Sequence, residues 1–243
     1  MKNSILFSFL LLNFISCDKQ KKETIVVENN PLVTETSETI QETEIVFPKT
    51  GKKVADFIPN SSFYVIQYEA SGDLNNDGLI DKAIVLANKN DKTTERPVLI
   101  LLQNNDKTFS LDKVSTVAIP AEYLENDFKS YIDESLEIEN GILKINLYGS
   151  GEPVGNIFSH YKFIDNDFIF VYIETYNIGA GSWQNLYYNL EKAELTEEIT
   201  NTMTEEMESK SKTYKLKNET YRFEKDAPEN VIAIAFNGLD SNW

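Results

Sequence analysis

Residues 157–175 read IFSHYKFIDNDFIFVYIET, two apolar and aromatic runs on either side of Asp165-Asn166-Asp167. Runs of β-branched and aromatic residues are typical of strands, and a short Asn/Asp segment between two of them is typical of a tight hairpin turn. Just upstream, residues 142–148 (ILKINLY) alternate between apolar and polar positions, which places three side chains on one face: Leu143, Ile145 and Leu147. These stretches predict antiparallel β-structure.

Strand-like runs of the same kind recur along the chain: 63–68, 83–87, 97–102, 108–111, 186–190, 213–216 and 221–224. Only residues 191–210 have a helix-like composition, with a Thr-rich centre that weakens a helix. We therefore expect residues 51–243 to form a single, mainly β domain. An antiparallel β-sandwich or a partly closed meander, with at most one or two short helices, fits this pattern best.

Composition excludes several classes of function. The 243 residues carry a net charge of -16, and such a chain repels nucleic acid. A single Cys excludes an internal disulfide and a Cys-based zinc site, and a single His excludes any His pair. Aromatic residues make up 12% of the chain, which suffices for a packed core.

The N-terminus has the features of an export signal. Lys2 precedes an apolar stretch, Ile5–Ile15, which is too short to cross a bilayer core of about 30 Å but fits a signal peptide over residues 1–16. The only cysteine, Cys17, follows Ser16 directly after this stretch, and the segment resembles the lipobox of bacterial lipoproteins, with Phe14 where Leu is usual. The resemblance implies a lipidated Cys17 that anchors the protein to a bilayer of the bacterial cell envelope. The alternative is an ordinary secretory signal that is cut elsewhere.

Residues 17–50 then predict a tether between the lipidated Cys17 and the β domain. This segment is rich in Thr, Glu and Lys, contains no Gly, and shows no sustained apolar period. Such composition is typical of disorder. The alternative is that residues 43–47 form a first strand.

One motif carries chemistry. Residues 72–85 read GDLNNDGLIDKAIV, in which alternate residues of a short loop supply oxygen ligands: Asp73, Asn75, Asp77, the Leu79 carbonyl and Asp81. Ca²⁺ takes six to eight oxygen ligands, and Gly78 permits the sharp turn that brings them together. An EF-hand would have Glu where Ile84 stands, so this loop is not an EF-hand.

The loop resembles the strand–loop–strand calcium motif of FG-GAP and VCBS repeats, whose pattern is GDLNGDG. The resemblance implies a Ca²⁺ site that holds the loop and its two flanking strands together. Such repeats build β-propellers from several copies, and this chain has one copy, so we do not expect a propeller. The order of motifs also resembles envelope lipoproteins of unknown activity. The alternative is a metal-free turn.

A second candidate site is residues 178–188, IGAGSWQNLYY. Gly179 and Gly181 predict a loop that presents Trp183 beside Gln184 and Tyr187. Aromatic faces next to amides are typical of glycan or peptide binding. The alternative is a hairpin with Trp183 in the core.

These patterns favour a non-enzymatic binding module of the envelope. A carboxylate-dependent hydrolase acting on glycans, and an inhibitor or accessory subunit of an envelope complex, are the alternatives. We expect His160 to be a partly exposed sheet residue and Glu174 to be exposed at a strand end, neither of them catalytic.

Overall fold

The fold is given by a computed structural model that describes residues 45–59, 63–149 and 155–239. The predicted signal peptide, Cys17 and the predicted tether up to residue 44 lie outside the described residues. The strands of the described part belong to two antiparallel sheets. This confirms the expectation of a mainly β, sandwich-like fold.

The first sheet has five strands in the order β1-β5-β4-β3-β2. Their bounds are β1 Thr50–Gly51, β2 Tyr64–Gly72, β3 Asp81–Asn88, β4 Val98–Gln103 and β5 Phe109–Ser115. The candidate calcium loop connects β2 to β3. The predicted turn at residues 103–106 connects β4 to β5, with Lys107 in the left-handed region at φ 65°.

The second sheet has seven strands, each paired with its neighbour in sequence. Their bounds are β6 Tyr131–Glu139, β7 Ile142–Gly149, β8 Asn156–Ile164, β9 Asp167–Gly179, β10 Ser182–Asn189, β11 Glu194–Asn201 and β12 Ser209–Lys215. The predicted hairpin joins β8 to β9, and both central turn residues, Asp165 and Asn166, have positive φ. That is the turn geometry whose twist matches antiparallel strands.

The main core lies between the two sheets. It combines apolar side chains of the first sheet, such as Val85 and Ile100, with those of the second, such as Ile145 and Tyr161. The helix α1, Pro228–Asn237, adds Val231 and Ile232 to the same core. The alternation predicted for residues 142–148 is confirmed, because the buried side chains there are Leu143, Ile145 and Leu147.

The first sheet is buried on both faces. A second apolar cluster packs on its other side, where a 3-10 turn at Val54–Phe57 brings Phe57 against Ile84, Leu86 and Leu99. A strand that is buried on both faces needs apolar residues at every position, not at every second one. This explains the continuous apolar runs in β3 and β4.

A β-bulge in β9 decides which side chains face outward. Val171 is an extra residue opposite the step from His160 to Tyr161 of β8. A bulge shifts the alternation by one residue. The buried side chains are therefore even-numbered before the bulge and odd-numbered after it: Phe168, Phe170, Ile173 and Thr175. The outward-facing side chains after the bulge are Tyr172, Glu174 and Tyr176.

The helix-like reading of residues 191–210 is wrong. These residues form β11, a turn and the start of β12. Three of the glutamates that suggested a helix, Glu194, Glu197 and Glu198, are strand residues of β11, with Glu197 turned inward and Glu198 outward. The other four lie in the turns before and after β11. The α-helix of the described residues lies instead at Pro228–Asn237, and its ten residues are too few to cross a membrane.

Two further expectations concern single segments. The alternative first strand at residues 43–47 is not seen at residues 45–47, and residues 43 and 44 lie outside the described residues. Pairing with the first sheet begins at Lys49, whose carbonyl accepts the Leu111 N–H, and at Thr50, which lies opposite Ser110. The predicted strand at 221–224 is reduced to one bridge between Arg222 and Ile169.

Candidate functional site

The outward face of β8–β11 gathers aromatic and hydrogen-bonding side chains. On β10, Trp183 and Tyr187 lie four residues apart, or about 14 Å at 3.4 Å per residue. Their cross-strand neighbours on β9 are Ile178 and Glu174. We call this surface the outer aromatic face and define it by Phe158, His160, Tyr172, Glu174, Tyr176, Trp183, Asn185, Tyr187 and Glu198.

Trp183 belongs to this face and not to the core. It is half-buried at the start of β10, and its ring meets the Tyr176 ring edge-on at a centroid distance of 6.1 Å. The neighbouring Ile178 is exposed. The chain does form a hairpin here, as the alternative interpretation required, but Trp183 is on its outward side.

Two glutamates supply the polar part of the face. The Tyr172 hydroxyl donates to Glu174 Oε2 at 3.0 Å, and the Tyr187 hydroxyl donates to Glu198 Oε2 at 3.1 Å. Burial, together with the hydrogen bond to Glu198, raises the pKa of Tyr187, so its hydroxyl remains a donor at neutral pH. Asn185 Oδ1 has no hydrogen-bond partner among the described residues. The face therefore carries carboxylates between aromatic rings, with the Asn185 amide oxygen buried among them.

Gln184 does not join Trp183 and Tyr187. Consecutive strand residues point to opposite faces, and Gln184 points to the inner side of the sheet. Its amide donates to Glu197 Oε1 at 2.8 Å. The structure thus brings together two of the three residues that the sequence proposed for ligand binding.

His160 and Glu174 also lie on the outer aromatic face. The His160 ring packs on Tyr172 at a centroid distance of 5.1 Å. Burial, and to a smaller extent the positive charge of Lys144, lowers the pKa of His160 to about 4, so the ring is neutral at pH 7. The expectation that Glu174 is exposed at a strand end is wrong, because β9 continues to Gly179 and Glu174 is half-buried.

The candidate calcium loop is tightly curled. Asp73 accepts the backbone N–H of Asp77 on one oxygen, at 3.1 Å, and that of Gly78 on the other, at 2.9 Å. The curl requires Asn76 and Gly78 to adopt positive φ, at 59° and 86°. Asn75 and Asp77 also bind each other, with the Asn75 amide 3.0 Å from Asp77 Oδ2.

Asp81 is the buried member of the loop. One of its oxygens accepts the Leu74 N–H at 2.8 Å, and the other accepts the Gln103 N–H at 2.9 Å. Burial raises the pKa of Asp81, and the nearby charge of Asp77 raises it further, while these backbone hydrogen bonds oppose the shift. Asp81 therefore ties the candidate calcium loop to the end of β4.

The donor chemistry of the loop suits Ca²⁺, since carboxylate, amide and carbonyl oxygens are the ligands that this ion takes. Among the described residues, no three acidic, His or Cys side chains are grouped so that they could share one ion. Asp73, Asn75 and Asp77 accept hydrogen bonds from N–H and amide groups of the loop itself.

Several residues of the outer aromatic face are absent from the sequence-based set. These are Phe158, Tyr172, Tyr176, Asn185 and Glu198. Asn185 could have been found from the strand period, since it lies two residues from Tyr187. Glu198 could have been found as the residue opposite Asn185 on β11. The outward direction of Tyr172 depends on the bulge at Val171.

Comparisons with known proteins assign no family to this geometry. Comparisons of the chain with protein-family models, with curated proteins and with solved structures find no match. The function is therefore inferred from the residues of the two sites.

Proposed function

We propose that the protein is a lipid-anchored lipoprotein of the bacterial cell envelope whose β domain binds glycans through the outer aromatic face. The observation that carries this proposal is the clustering of Trp183, Tyr176 and Tyr187 with the carboxylates of Glu174 and Glu198 on one sheet face. The aromatic rings and the acceptors belong to adjacent rigid strands. A ligand therefore meets them without a large ordering cost.

Sugar rings match this surface chemically. A pyranose has an apolar face of C–H groups and a rim of hydroxyls. The apolar face can pack on Trp183 or Tyr187, and the hydroxyls can donate to the carboxylates, in hydrogen bonds that are stronger than those between neutral groups. The distance of about 14 Å along β10, at 3.4 Å per residue, favours an extended chain over a single sugar.

The negative charge of the outer aromatic face limits the class of glycan that it can bind. Glu174 and Glu198 are negative, and the whole chain carries a net charge of -16. A surface of this sign repels anionic polymers. Neutral glycans are therefore the proposed ligands, and polyuronates or sulfated glycans are not.

Calcium has a structural part in this proposal. The ion would bind Asp73, Asn75, Asp77, the Leu79 carbonyl and Asp81, and would supply positive charge to a loop that holds three carboxylates. These residues position the β2–β3 connection, and Asp81 links it to β4. The expected role is to hold the first sheet together at this end.

The anchor places the domain near a membrane surface. Lipid on Cys17 would hold the chain in a bilayer, and several acyl chains give stable anchoring where one does not. The segment between Cys17 and β1 would span about 30 Å as a flexible coil, at roughly 5–6 Å times the square root of the residue number. This reach lifts the β domain off the lipid surface toward envelope glycans.

A glycan pull-down tests the binding proposal. Wild type, Trp183→Ala and Tyr187→Ala are incubated with insoluble chitin and cellulose, and the bound fraction is measured across protein concentrations. Truncating a central aromatic anchor costs about 2 kcal/mol or more, roughly a thirtyfold loss of affinity. The matched control is Phe63→Ala, which removes an exposed aromatic ring just before β2, away from the second sheet, and should bind as wild type does. Equal retention of all variants, or retention of none including wild type, contradicts the proposal.

A further inference from the structure

A cavity of about 270 Å³ lies under α1, on the inner side of the second sheet. It is separate from the outer aromatic face, because the side chains of Ile157, Thr175 and Asn177 alternate with those of that face and point to the opposite side of β8 and β9. Its walls are formed by eight residues: Tyr131, Gly155, Asn156, Ile157, Thr175, Asn177, Glu229 and Ile232. The volume is just below the range of roughly 300–1,000 Å³ typical of ligand pockets, so the cavity suits a small molecule.

The polar side chains of the cavity offer several acceptor oxygens. The Asn156 amide is already engaged, since it donates to the Tyr176 carbonyl and accepts the Gly149 N–H, each at 3.0 Å. Glu229 stands in the first turn of α1, and its Oε1 accepts the Tyr131 hydroxyl at 3.2 Å. Thr175 is only 7% exposed, and its Oγ1 has no hydrogen-bond partner among the described residues. Asn177 Oδ1 packs closely against the backbone of Gly155. A Cβ atom at residue 155 would lie 2.0 Å from this oxygen, so the close contact requires glycine.

The lining contains no Lys, Arg or His to neutralise Glu229. A buried carboxyl group is costly in its charged form unless a cation pairs with it. Burial accordingly raises the pKa of Glu229, although the hydrogen bond from Tyr131 opposes the shift. The cavity thus holds an acid that lacks a cationic partner within its walls.

We propose that this cavity binds a small molecule that carries a primary ammonium group on a short apolar body. An ammonium has three donors and no acceptor, which matches the acceptors of Glu229, Thr175 and Asn177. Ile157 and Ile232 supply apolar walls for the rest of the molecule. The net charge of -16 also favours the approach of a cation. This site is independent of glycan binding on the outer aromatic face.

Calorimetric titration of the full chain tests the proposal, with butylammonium as the probe and butan-1-ol and butyrate as its neutral and anionic counterparts. Butylammonium should bind in a saturable way, and the other two at least tenfold more weakly. Glu229→Gln, which can still accept the Tyr131 hydroxyl, should lose at least tenfold in affinity for butylammonium. The matched control is Glu125→Gln, which removes the same charge at an exposed position and should bind as wild type does.

A second variant keeps the test decisive if Glu229→Gln does not fold. Thr175→Val preserves the shape of the side chain and removes its unpartnered oxygen, so it should weaken butylammonium binding and leave the response to butan-1-ol unchanged. The proposal is overturned if butylammonium gives no saturable heat, if butan-1-ol binds equally well, or if either cavity variant binds the amine as tightly as wild type.

Discussion

The buried ion pair between Arg96 and Glu134 joins the two sheets, and its removal should destabilise the domain strongly. The Arg96 and Glu134 side chains are only 2% and 5% exposed. The guanidinium binds the carboxylate in a bidentate manner, at 2.7 and 2.8 Å. It also donates to the Pro120 carbonyl at 2.6 Å and to Gln67 Oε1 at 3.2 Å. Arg96→Met removes all four hydrogen bonds with little loss of volume.

The expected loss of stability in Arg96→Met follows from the unpaired charge that the substitution leaves in the core. Glu134 becomes a buried carboxylate without a cation, and breaking such a pair on one side costs about 3–5 kcal/mol. Replacing both members with apolar residues is far less costly, because no unpaired charge remains. In Arg96→Met/Glu134→Leu the main remaining loss is the donor to the Pro120 carbonyl, about 1–3 kcal/mol. The double variant should therefore be more stable than Arg96→Met alone.

Urea unfolding of the wild type, both single variants and the double variant measures this coupling. With a slope of about 2 kcal/mol per M, a loss of 4 kcal/mol lowers the midpoint of unfolding by about 2 M. The double variant should recover about half of that shift or more. The reasoning is refuted if Arg96→Met costs less than about 1 kcal/mol, far below the range for a broken buried pair. It is also refuted if the loss in the double variant equals the sum of the two single losses.

Three other predictions concern the loop, the anchor and the cavity. Millimolar Ca²⁺ should raise the melting temperature by the equivalent of about 1 kcal/mol, and Mg²⁺ should raise it less. Asp77→Ala should abolish the response to Ca²⁺. Superimposable melting curves in chelator and in Ca²⁺ contradict the calcium assignment. Cys17→Ala should release the protein from membranes, and an Ala variant that stays in the membrane fraction at high salt contradicts the lipoprotein assignment. For Glu229, a raised pKa in the folded state means stability that is present below its usual value of 4.5 and lost as pH rises through the folded value. Glu229→Gln should therefore gain stability relative to wild type as pH rises from 4.5 to the folded pKa of Glu229, and a stability difference that does not change over this window would show that burial does not raise that pKa.

Strands with a simple apolar pattern could be predicted from the sequence. The runs in β3 and β4, the alternation in β7 and the turn between β8 and β9 each carry a local signal. The sequence pattern does not predict β6, because the inward-facing Glu134 interrupts the apolar alternation of residues 131–139, YIDESLEIE. That glutamate is compatible with the core only because Arg96, distant in sequence, pairs with it.

The helix prediction at residues 191–210 is wrong for a related reason, because glutamates there also hide a strand. Glutamate-rich β11 resembles a helix in composition, although its β-branched residues Thr196, Ile199 and Thr200 favour a strand. The true helix, Pro228–Asn237, contains two isoleucines and a valine that favour strands. Its signals were the Pro at the first helical position, Glu229 in the first turn and Gly238 at the end.

The candidate site could be predicted from the sequence only in part. Trp183 and Tyr187 share a face because they are four residues apart on one strand, and the same rule places Gln184 on the other face. The contribution of β9 could not be predicted, because without the extra residue Val171 the side chains of Tyr172 and Glu174 would alternate in phase with the buried Phe168 and Phe170. A bulge of this kind leaves no local sequence signal.

The central claim, that glycans bind the outer aromatic face, is tested most directly by the fluorescence of Trp183. The chain has two tryptophans, so Trp243→Phe leaves Trp183 as the only one. Titration of this variant with chitohexaose or cellohexaose should shift the emission to shorter wavelength and saturate, because a sugar ring on Trp183 excludes water from its indole. Anionic oligogalacturonate should leave the emission unchanged. Emission that does not respond to either neutral oligosaccharide, or that responds equally to the anionic one, would contradict glycan binding at this face.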